Sequence, residues 1–435
     1  MELFIKIIQF FLCFTILVGL HELGHFVMAR VFKIRVEKFY IFFDPWFSLF
    51  KFKRKGTEYG LGWVPLGGYV KIAGMVDESL DEEQLRQPPQ PDEFRSKPAW
   101  QRFFVLIAGV VMNVLVAVGI YCAVCFTWGD SYFSNQDARW GYTFNDAGHA
   151  LGFRDGDRFV SLDGRPVDNV ALLLNDLLIT DGDRTVVVER SGEEVALRLP
   201  LDQLVEMRRS KGYENLFRLR QPFLVDSVVT ASGLRKGDEI IGLNEHRGLE
   251  FFDYKALLQI HAGQDVQLAV LRDADTVRMT LPVSDDGRLG VTVASPYIPR
   301  TRHYTLWQSI PAGFRKAGQV VSSYWQQLKL IVRPKTKLYE ELGGFIAIGS
   351  LFSGTWDWQD FWLKTAFLSI ILAVMNILPI PGLDGGHALF TFWEMLTGRK
   401  VSDRVLVAAQ YVGLGILLVL LLYANGNDVY RFFLK

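Results

Sequence analysis

Four stretches of the chain are apolar over about the length that a helix needs to cross a membrane. Spanning a hydrocarbon core of about 30 Å takes roughly 20 helical residues. The predicted spans are Leu3–Arg30, Phe103–Trp128, Thr365–Pro381 and Val405–Tyr423. The helix of the third span should end early, because Pro379 and Pro381 cannot continue it and leave its last turn unwound.

Basic residues predict how these spans are oriented, because they favour the cytoplasmic side of a membrane. Four of them stand between positions 51 and 55, in the connection between the first and second spans. If that connection is cytoplasmic, both chain ends and the large block from about 129 to 360 lie outside. The first and third spans then run in the same direction, so His25 and Asp384 at their inner ends should reach the same membrane depth.

The external block contains an internal repeat. Residues 152–162 and 233–243 align without a gap, so that Gly156-Asp157 matches Gly237-Asp238 at a separation of 81 residues. Each copy continues with a short helical stretch and an alternating strand. These are 171–178 with Thr185–Val188 in the first copy and 252–260 with Gln267–Leu271 in the second.

The repeat resembles two PDZ domains, which are α+β folds, at 129–205 and 206–295. A PDZ fold binds an extended peptide by strand addition. Two small β-rich domains could equally shield the membrane entrance, and the sequence leaves both readings open.

The connection between the first two spans, residues 31–75, predicts strands and tight turns. Val36–Ile72 is rich in aromatic and alternating residues and contains PLGGYVK at 65–71. So apolar a sheet is expected to enter the bilayer against protein, as a membrane-re-entrant β-sheet. Residues 76–100 are acidic and rich in proline, which predicts a solvated cytoplasmic linker without chemistry.

Residues 296–360 are predicted to be an external segment with one amphipathic stretch, Ser309–Val332. This stretch would form a helix along the outer membrane surface or a soluble helix packed on the repeat block. The fold class that results is a polytopic α-helical membrane protein with a membrane-re-entrant β-sheet and two PDZ-like domains. Its four transmembrane helices lie within 1–30, 101–128, 361–386 and 403–424.

Composition agrees with a chain that mixes membrane and soluble parts. Half of the 435 residues are hydrophobic and 22% are charged, with a formal net charge of zero, which gives no argument for nucleic-acid binding. All three cysteines lie in apolar runs, so no disulfide framework is expected. Cys122 and Cys125 read C-x-x-C, and within an uncharged helix this favours packing over a redox or metal role.

The first span leads directly into the sequence His21-Glu-Leu-Gly-His25. We therefore expect this span to be retained rather than cleaved as a signal peptide. Two histidines four residues apart share one helix face and can bind one Zn²⁺, while Glu22 comes along as a base. Ionisable groups at membrane depth are costly and usually functional, which favours a metal site over two ordinary surface histidines.

A catalytic zinc takes three protein ligands and keeps an open position, so a third ligand must come from elsewhere. Asp384 is the favoured candidate, because prolines interrupt its helix and glycines allow close backbone approach. His387 is the rival ligand. The shared depth of the first and third spans favours Asp384.

Four features together resemble the site-2 protease family of intramembrane zinc metalloproteases, in the branch of the bacterial regulator of sigma-E proteases. They are HELGH in the first span, PLGGYVK after it, the tandem PDZ-like repeats, and NxxPxPxLDGG at 376–386. The resemblance covers nearly the whole chain. It implies that His21, His25 and Asp384 bind zinc, that Glu22 activates water, and that Asn376 helps to hold the substrate or the developing oxyanion.

The resemblance also implies a substrate-binding role for the re-entrant β-loop. Gly67, Gly68, Tyr69 and Val70 would pair with an unwound substrate segment. The chain departs from the family in two places, where it has Gly109-Val-Val-Met-Asn113 instead of Gly-Pro-x-x-Asn and Gly343-Gly344-Phe345 instead of a small-Gly-Pro element. Both departures leave the predicted zinc ligands untouched.

The expected function is cleavage of transmembrane segments of single-pass membrane proteins, such as an anti-sigma factor or remnant signal peptides. The expected location is the bacterial cytoplasmic membrane, with the PDZ-like domains external and the active site near the cytoplasmic side. Two other classes compete, a PDZ scaffold with a silent zinc site and a metal transporter. The intact Glu22 argues against the scaffold, and the scarcity of polar residues in the second and fourth spans argues against the transporter.

Overall fold

The fold is described from a computed structural model, which covers residues 1–75, 88–132, 134–230, 233–248, 250–294, 297 and 300–434. Residues 76–87, most of the predicted acidic linker, lie outside this part of the chain. The chain divides into two compact units. Unit 1 comprises residues 1–129 and 303–435, and unit 2 comprises residues 130–302.

Among the residues described, helices dominate unit 1, whereas unit 2 contains four short helices. In chain order the α-helices are α1 (Glu2–Val31), α2 (Ala99–Thr127), α3 (Asp146–Ala150), α4 (Val170–Leu178), α5 (Leu201–Arg209), α6 (Phe251–Ile260), α7 (Leu306–Ile331), α8 (Phe345–Ser350), α9 (Trp358–Asn376), α10 (Asp384–Thr397) and α11 (Asp403–Val429). A π-helical turn, Tyr430–Leu434, continues α11.

Strands form one sheet in unit 1 and the remaining sheets in unit 2. They are β1 (Val36–Phe43), β2 (Phe50–Arg54), β3 (Thr57–Leu61), β4 (Val64–Ile72), β5 (Asp130–Tyr132), β6 (Tyr142–Phe144), β7 (Arg158–Leu162), β8 (Arg165–Pro166), β9 (Arg184–Arg190), β10 (Glu193–Leu199), β11 (Phe217–Leu219), β12 (Phe223–Val228), β13 (Glu239–Leu243), β14 (His246–Arg247), β15 (Asp265–Arg272), β16 (Asp275–Pro282), β17 (Val291–Val293) and β18 (Arg300–Arg302).

Three helices within the described ranges are long and apolar enough to cross a membrane, namely α1, α2 and α11. They coincide with the first, second and fourth predicted spans. Helix α9, at the third predicted span, has 19 residues and carries Asp360 and Lys364 near its start, and it is not among these three. It ends at Asn376, before Pro379, so the early end that the prolines predict is present.

Helices α1 and α2 cross with their backbones in contact. A Cβ atom on Gly24 of α1 would lie 2.5 Å from the carbonyl oxygen of Ala108 on α2. Small residues allow this approach, which is how apolar helices associate where water does not drive them together. The crossing brings α2 directly against the helix face that carries the HELGH histidines.

The sheet of unit 1 lies alongside α1. Its strand order is β2-β3-β1-β4, with β1 parallel to β3 and antiparallel to β4. Arg30, at the end of α1, donates hydrogen bonds to Thr57 Oγ1 and to the carbonyl of Lys55. Further back along α1, a Cβ on Gly19 would lie 4.0 Å from Ile41 Cδ1.

Thr57 Oγ1 in turn donates to the carbonyl of Val36 at 2.7 Å, so β1 starts beside the end of α1 and runs back along the helix towards its middle. Residues 19–30 of a helix and residues 36–41 of a strand both rise by about 16 Å. The end of the sheet near the 54–57 turn therefore lies beside the end of α1, and the other end lies beside the middle of the first span. Strand β4 forms one edge of the sheet.

Helix α7, which covers the predicted amphipathic stretch, belongs to unit 1. It packs with Ala317 and its neighbours against α2 and α9, in a cluster that includes Val118 and Ile370. Gly313 lies so close to α2 that a Cβ there would be 2.4 Å from Cys122 Sγ. The helix therefore packs on apolar helices of unit 1, which is neither of the two sequence-based alternatives. Cys122 and Cys125 are both free thiols.

The turn between α9 and α10 is held against α11. A Cβ on Gly413 of α11 would lie 1.3 Å from the carbonyl oxygen of Pro381, and one on Gly386 would lie 2.5 Å from that of Ile380. Only glycine permits contacts as close as these. The turn is thereby fixed in place, and with it Asp384, the first residue of α10.

Unit 2 contains two β-rich subdomains with separate hydrophobic cores. The first has a sheet of order β10-β9-β7-β8 and the pair β6-β11, with α4 and α5 contributing to its core. The second has a sheet of order β16-β15-β13-β12-β17, to which β14 is added, and its core includes α6. Helices α4 and α6 and strands β9 and β15 lie where the repeat predicts them.

The predicted boundary between the two subdomains, at 205 and 206, is wrong. It falls inside α5 (Leu201–Arg209), whose Leu204 and Met207 are buried in the first core. Strand β11 pairs with β6, so the first subdomain continues to Leu219. A strand of three residues has too little alternation to be recognised in the sequence, which explains the misplaced boundary.

The Gly-Asp element of each repeat forms the same buried ion pair. Asp157 accepts two hydrogen bonds from Arg190, at 2.8 and 2.7 Å, and Asp238 accepts two from Arg272, also at 2.8 and 2.7 Å. Each carboxyl group also accepts from the backbone N–H three residues earlier. Only 1% of either aspartate is exposed. The repeated motif therefore joins the turn before β7 or β13 to the end of β9 or β15.

Replacing Asp238 with Asn should lower the stability of the second subdomain by about 2 kcal/mol, because hydrogen bonds to charged groups contribute about 1.5–3 kcal/mol. The Arg272 guanidinium holds the pKa of Asp238 below its usual range. The stability from Asp238 is thus fully present above its unfolded pKa of about 3.9 and is lost as the pH falls through the lower folded value. Urea-dependent pulse proteolysis of the full chain at acidic and neutral pH measures both effects.

Asp226→Asn is the matched control, because Asp226 forms an exposed ion pair with Lys236 in the same subdomain. Exposed pairs contribute little, so this variant should unfold almost like the wild type. Equal losses in the two variants would contradict the structural role of the Gly-Asp element.

Candidate active site

Helix α1 delivers the two histidines of the site. His21 and His25 lie one turn apart on the buried face of the helix, and their Nε2 atoms are 3.3 Å apart. Their ring planes are nearly perpendicular, at 82°. Both side chains are more than nine-tenths buried. Two imidazole nitrogens thus converge on one point inside the helical unit.

Asp384 completes a cluster of three potential metal ligands. Its Oδ2 atom lies 3.1 Å from His21 Nε2 and 3.4 Å from His25 Nε2. This contact agrees with the prediction that His25 and Asp384, at the ends of the first and third spans, reach the same membrane depth. His387 is not part of the cluster, since its Nε2 lies 2.7 Å from Gln410 Oε1 on α11.

The three donor atoms fit a tetrahedral zinc ion. With metal–ligand distances of about 2.0–2.2 Å, neighbouring ligands of a tetrahedron are about 3.3–3.6 Å apart. The separations here are 3.1, 3.3 and 3.4 Å. Asp384 Oδ2 is buried and accepts no hydrogen bond from the described residues, as expected of an atom whose partner is a cation. Three ligands leave a fourth position open.

The outer nitrogens of both rings are held by α2. His25 Nδ1 lies 2.8 Å from the carbonyl oxygen of Val105, and His21 Nδ1 lies 3.1 Å from the side-chain amide of Asn113. A histidine that binds metal through Nε2 carries its proton on Nδ1 and needs an acceptor there. Val105 supplies one acceptor. With its amide oxygen turned towards the ring, Asn113 supplies the other.

Gly109 provides the space that the two imidazoles occupy. It lies on α2 between Val105 and Asn113, and a Cβ there would be 2.4 Å from His25 Nε2 and 2.5 Å from His21 Cε1. No other amino acid fits without displacing the rings. The site therefore consists of His21 and His25 on α1, Gly109 of α2 in contact with their rings, and the Asp384 carboxylate on α10.

The cluster of His21, His25 and Asp384 opens into a cavity of about 630 Å³. Glu22 and Asn376 line this cavity together with His21, His25 and Asp384, and β4 forms one of its walls. The β4 residues that line it are Gly67, Gly68, Tyr69, Val70, Lys71 and Ile72. All nine residues predicted for the site from the sequence thus lie around one cavity.

Glu22 and Asn376 have different neighbours in the cavity. Glu22 lies next to β4, because a Cβ on Gly68 would be 3.6 Å from Glu22 Cγ. Asn376, the last residue of α9, places its amide nitrogen 3.3 Å from His21 Nε2. When that imidazole nitrogen binds a metal it cannot accept a hydrogen bond, so the Asn376 amide is then available to an oxygen in the cavity.

Comparison with known proteins identifies the family of this chain. The sequence pattern of peptidase family M50 matches residues 9–420. The chain belongs to peptidase family M50. It is a zinc metalloprotease, in agreement with the cofactor and the enzyme class predicted from HELGH.

Individual relatives are similar over their full lengths. A protein of Haemophilus influenzae named "Regulator of sigma E protease" is 27% identical, over 97% of this chain and 98% of that protein. A zinc metalloprotease by name from Ralstonia nicotianae is 26% identical, over 99% of both chains. A Thermotoga maritima protein, likewise named as a zinc metalloprotease, is 23% identical over 98% of this chain and 99% of its own length.

Several residues of this M50 protease site were not identified from the sequence. Val105 acts through its backbone carbonyl, which carries no sequence signal. Asn113 and Gln410 are each 1% exposed or less in otherwise apolar helices. A polar residue within a membrane span is costly unless it has a partner, so both could have been singled out on that ground.

Gly109→Ala should displace the imidazoles and reduce both zinc content and proteolysis. A displacement of about 1 Å in catalytic geometry can cost roughly 100-fold in rate, and we expect a loss of at least that size. Metal analysis of the purified protein and a cleavage assay measure the two effects. Gly119→Ala is the matched control on the same helix, because a Cβ there meets nothing within 4 Å. Full zinc content in the Gly109 variant would contradict this account.

Asn113→Ala should weaken zinc binding by about 10- to 100-fold, the usual effect of removing a group that orients a metal-binding histidine. Asn113→Asp should recover most of the affinity because it keeps an acceptor oxygen. Titration with a competing chelator measures both variants. Ser369→Ala serves as control, since the Ser369 hydroxyl donates only to the backbone carbonyl of Asn113, at 2.8 Å. An equal loss of affinity in this control would point to general damage instead.

Proposed function

We propose that this zinc metalloprotease is an intramembrane endopeptidase that cleaves transmembrane segments of single-pass membrane proteins. One observation carries the proposal. A single cavity joins the cluster of His21, His25 and Asp384 to the edge strand β4, with Glu22 between them. Such a cavity can receive an extended peptide beside a metal site.

In this proposal His21, His25 and Asp384 hold the zinc ion. When bound, zinc supplies a Lewis acid that polarises the scissile carbonyl and acidifies water. Glu22 takes the proton of the attacking water and passes it to the leaving amine. Asn376 directs its amide towards the oxygen that becomes negatively charged in the transition state.

A transmembrane substrate must lose its helical structure before it can be cut. Its carbonyl groups are hidden in internal hydrogen bonds, and backbone groups left without partners in hydrocarbon cost several kcal/mol each. Addition to the edge of β4 at Gly67, Gly68, Tyr69 and Val70 would replace part of these hydrogen bonds. The same addition would orient the segment past Glu22.

The position of the sheet of unit 1 supports the proposal that this sheet is membrane-re-entrant. Strand β1 runs back along α1 towards the middle of the first span, with Ile41 beside Gly19. The end of the sheet next to Arg30 carries the basic residues 51–55, and the opposite end carries exposed aromatic side chains such as Trp46 and Phe47. This polarity fits a sheet that enters the bilayer from the cytoplasmic side.

We place the enzyme in the bacterial cytoplasmic membrane with α9 as a fourth span. Residues 31–100 are then cytoplasmic, unit 2 is external, and the metal site lies near the cytoplasmic side. The name of the Haemophilus influenzae relative suggests substrates of the anti-sigma-factor class. Remnant signal peptides have the same single-pass form and are the second substrate class that we propose.

We further propose that the two subdomains of unit 2 are PDZ-like, with the repeated Gly-Asp element at corresponding positions. They would bind an extended peptide or restrict which ectodomains approach the membrane. Glu22 lines the cavity, which argues against a scaffold with a silent zinc site. Among the described residues of α11, Gln410 alone adds a buried polar side chain to the cavity, which argues against a metal transporter.

Glu22→Gln should abolish cleavage while zinc stays bound, because the substitution removes the base and leaves the metal ligands unchanged. The assay is co-expression with tagged single-pass membrane proteins, combined with metal analysis of the purified enzyme. Glu2→Gln, at the start of the same helix, is the matched control and should cleave like the wild type. If no fragment depends on Glu22 while the zinc content is normal, the proposed reaction is wrong.

A further inference from the structure

A chain of hydrogen bonds joins the edge strand β4 to the connection that follows β1. Tyr69 Oη donates to Asp44 Oδ1 at 2.9 Å, and Ser48 Oγ donates to Asp44 Oδ2 at 3.0 Å. Ser48 Oγ also lies 3.2 Å from Tyr40 Oη, which donates to Glu58 Oε1 at 2.7 Å. The chain thus connects β4, β1 and β3 through side chains as well as through the backbone.

The ring of Tyr69 is held by aromatic stacking, in addition to the hydrogen bond of its hydroxyl group. It stacks on Tyr40 with a centroid distance of 5.3 Å and an angle of 12°, and on Phe43 at 6.2 Å and 9°. Tyr40 itself is 1% exposed. The Phe43 ring also covers Gly67, where a Cβ would lie 2.7 Å from Phe43 Cε2. Tyr69 therefore has a fixed orientation on one face of the sheet.

The backbone next to Asp44 is strained. The pairing of β1 with β4 shifts register between Ile41 and Phe43, and Phe42 at this bulge has a φ of +69°. Bulky residues rarely adopt this left-handed conformation. Such strain persists where the surroundings over-determine it, and it is concentrated at functional sites. The bulge lies directly before Asp44, the residue that accepts the hydrogen bond of Tyr69.

Strand β4 needs such an anchor, because two of its residues that line the cavity, Gly67 and Gly68, are glycines. Strands rich in glycine specify their register weakly, and a slip of one residue moves every side chain to the opposite face. Gly68 is directed towards α1, where a Cβ would meet Val18 and Glu22. A slip would bring the Tyr69 side chain to this face and obstruct the space next to Glu22.

We infer that Asp44 is a positioning residue for substrate recognition, which acts by holding Tyr69 and thereby the register of β4. The inference rests on the proposed function of β4 as the strand that receives the substrate. Asp44 lies at the end of the sheet beside the middle of the first span, where an ionisable group is costly unless it has a role. Its two oxygens are both engaged, one with β4 and one with its own connection.

The kinetic test compares Asp44→Ala, Tyr69→Phe and the double variant in the full-length enzyme with a single-pass substrate. Loss of the anchor weakens substrate binding without changing the groups that react, so KM should rise about 10-fold while kcat changes less than about twofold. The two single variants break the same contact, so the double variant should be no worse than either. Asp44→Asn keeps an acceptor oxygen and should restore KM to within about threefold of the wild type.

Tyr59→Phe is the matched control, because it removes a tyrosine hydroxyl from β3 of the same sheet that forms no hydrogen bond with the described residues. Zinc content should be normal in all variants. A kcat effect equal to the KM effect, multiplicative losses in the double variant, or a wild-type KM for Asp44→Ala would each overturn the inference.

Crosslinking separates this inference from the proposed function. In a Glu22→Gln background, a substrate with a photoreactive residue in its transmembrane segment should crosslink to residues 67–72. With Asp44→Ala added, these crosslinks should decrease about 10-fold or shift by one residue. Crosslinks that are unchanged by Asp44→Ala would overturn the role of Asp44 alone. If the Glu22→Gln parent itself gives no crosslink to β4, strand addition is wrong and the role of Asp44 falls with it.

Discussion

The close contact between α1 and α2 is the constraint on which the metal site depends. Two imidazoles fit against α2 only because Gly24 touches the backbone at Ala108 and Gly109 has no side chain. The same contact puts the Val105 carbonyl within hydrogen-bonding distance of His25. A wider separation would leave the imidazole N–H groups without acceptors in an apolar environment, where each would cost free energy. The geometry of the candidate metal site thus requires the close packing of α1 and α2.

An exposed strand edge is excluded from the hydrocarbon region of a membrane unless it is buried in protein or lines a cavity, since its N–H and C=O groups find no water in lipid. In the proposed re-entrant placement, strand β4 meets this requirement by facing a cavity instead of lipid. Its partner strand β1 lies along α1 with Ile41 beside Gly19, and Arg30 at the end of α1 donates to Thr57 of the neighbouring β3. The edge is therefore kept open at a place where its polar backbone can be solvated or can bind a peptide.

Much of the site could be predicted from the sequence because its signals are local or repeated. His21 and His25 share a helix turn, and the proline interruption with glycines points to Asp384. The role of Gly109 could not be predicted, because it depends on which faces of two distant helices meet. The boundary at 205 failed for a similar reason, since β11 belongs to the first subdomain only through its long-range pairing with β6.

In the proposed mechanism, addition of the substrate to β4 replaces only part of the hydrogen bonds that the substrate helix loses. A residue that leaves a helix loses the intrahelical bonds of its N–H and C=O groups, but an added edge strand directs only alternate residues towards its partner. About half of the freed groups of a four-residue segment beside Gly67–Val70 would remain without partners. They need water or polar side chains, and the cavity offers Asn376 and Lys71. The proposed function therefore requires a hydrated cavity for unwinding as well as for hydrolysis.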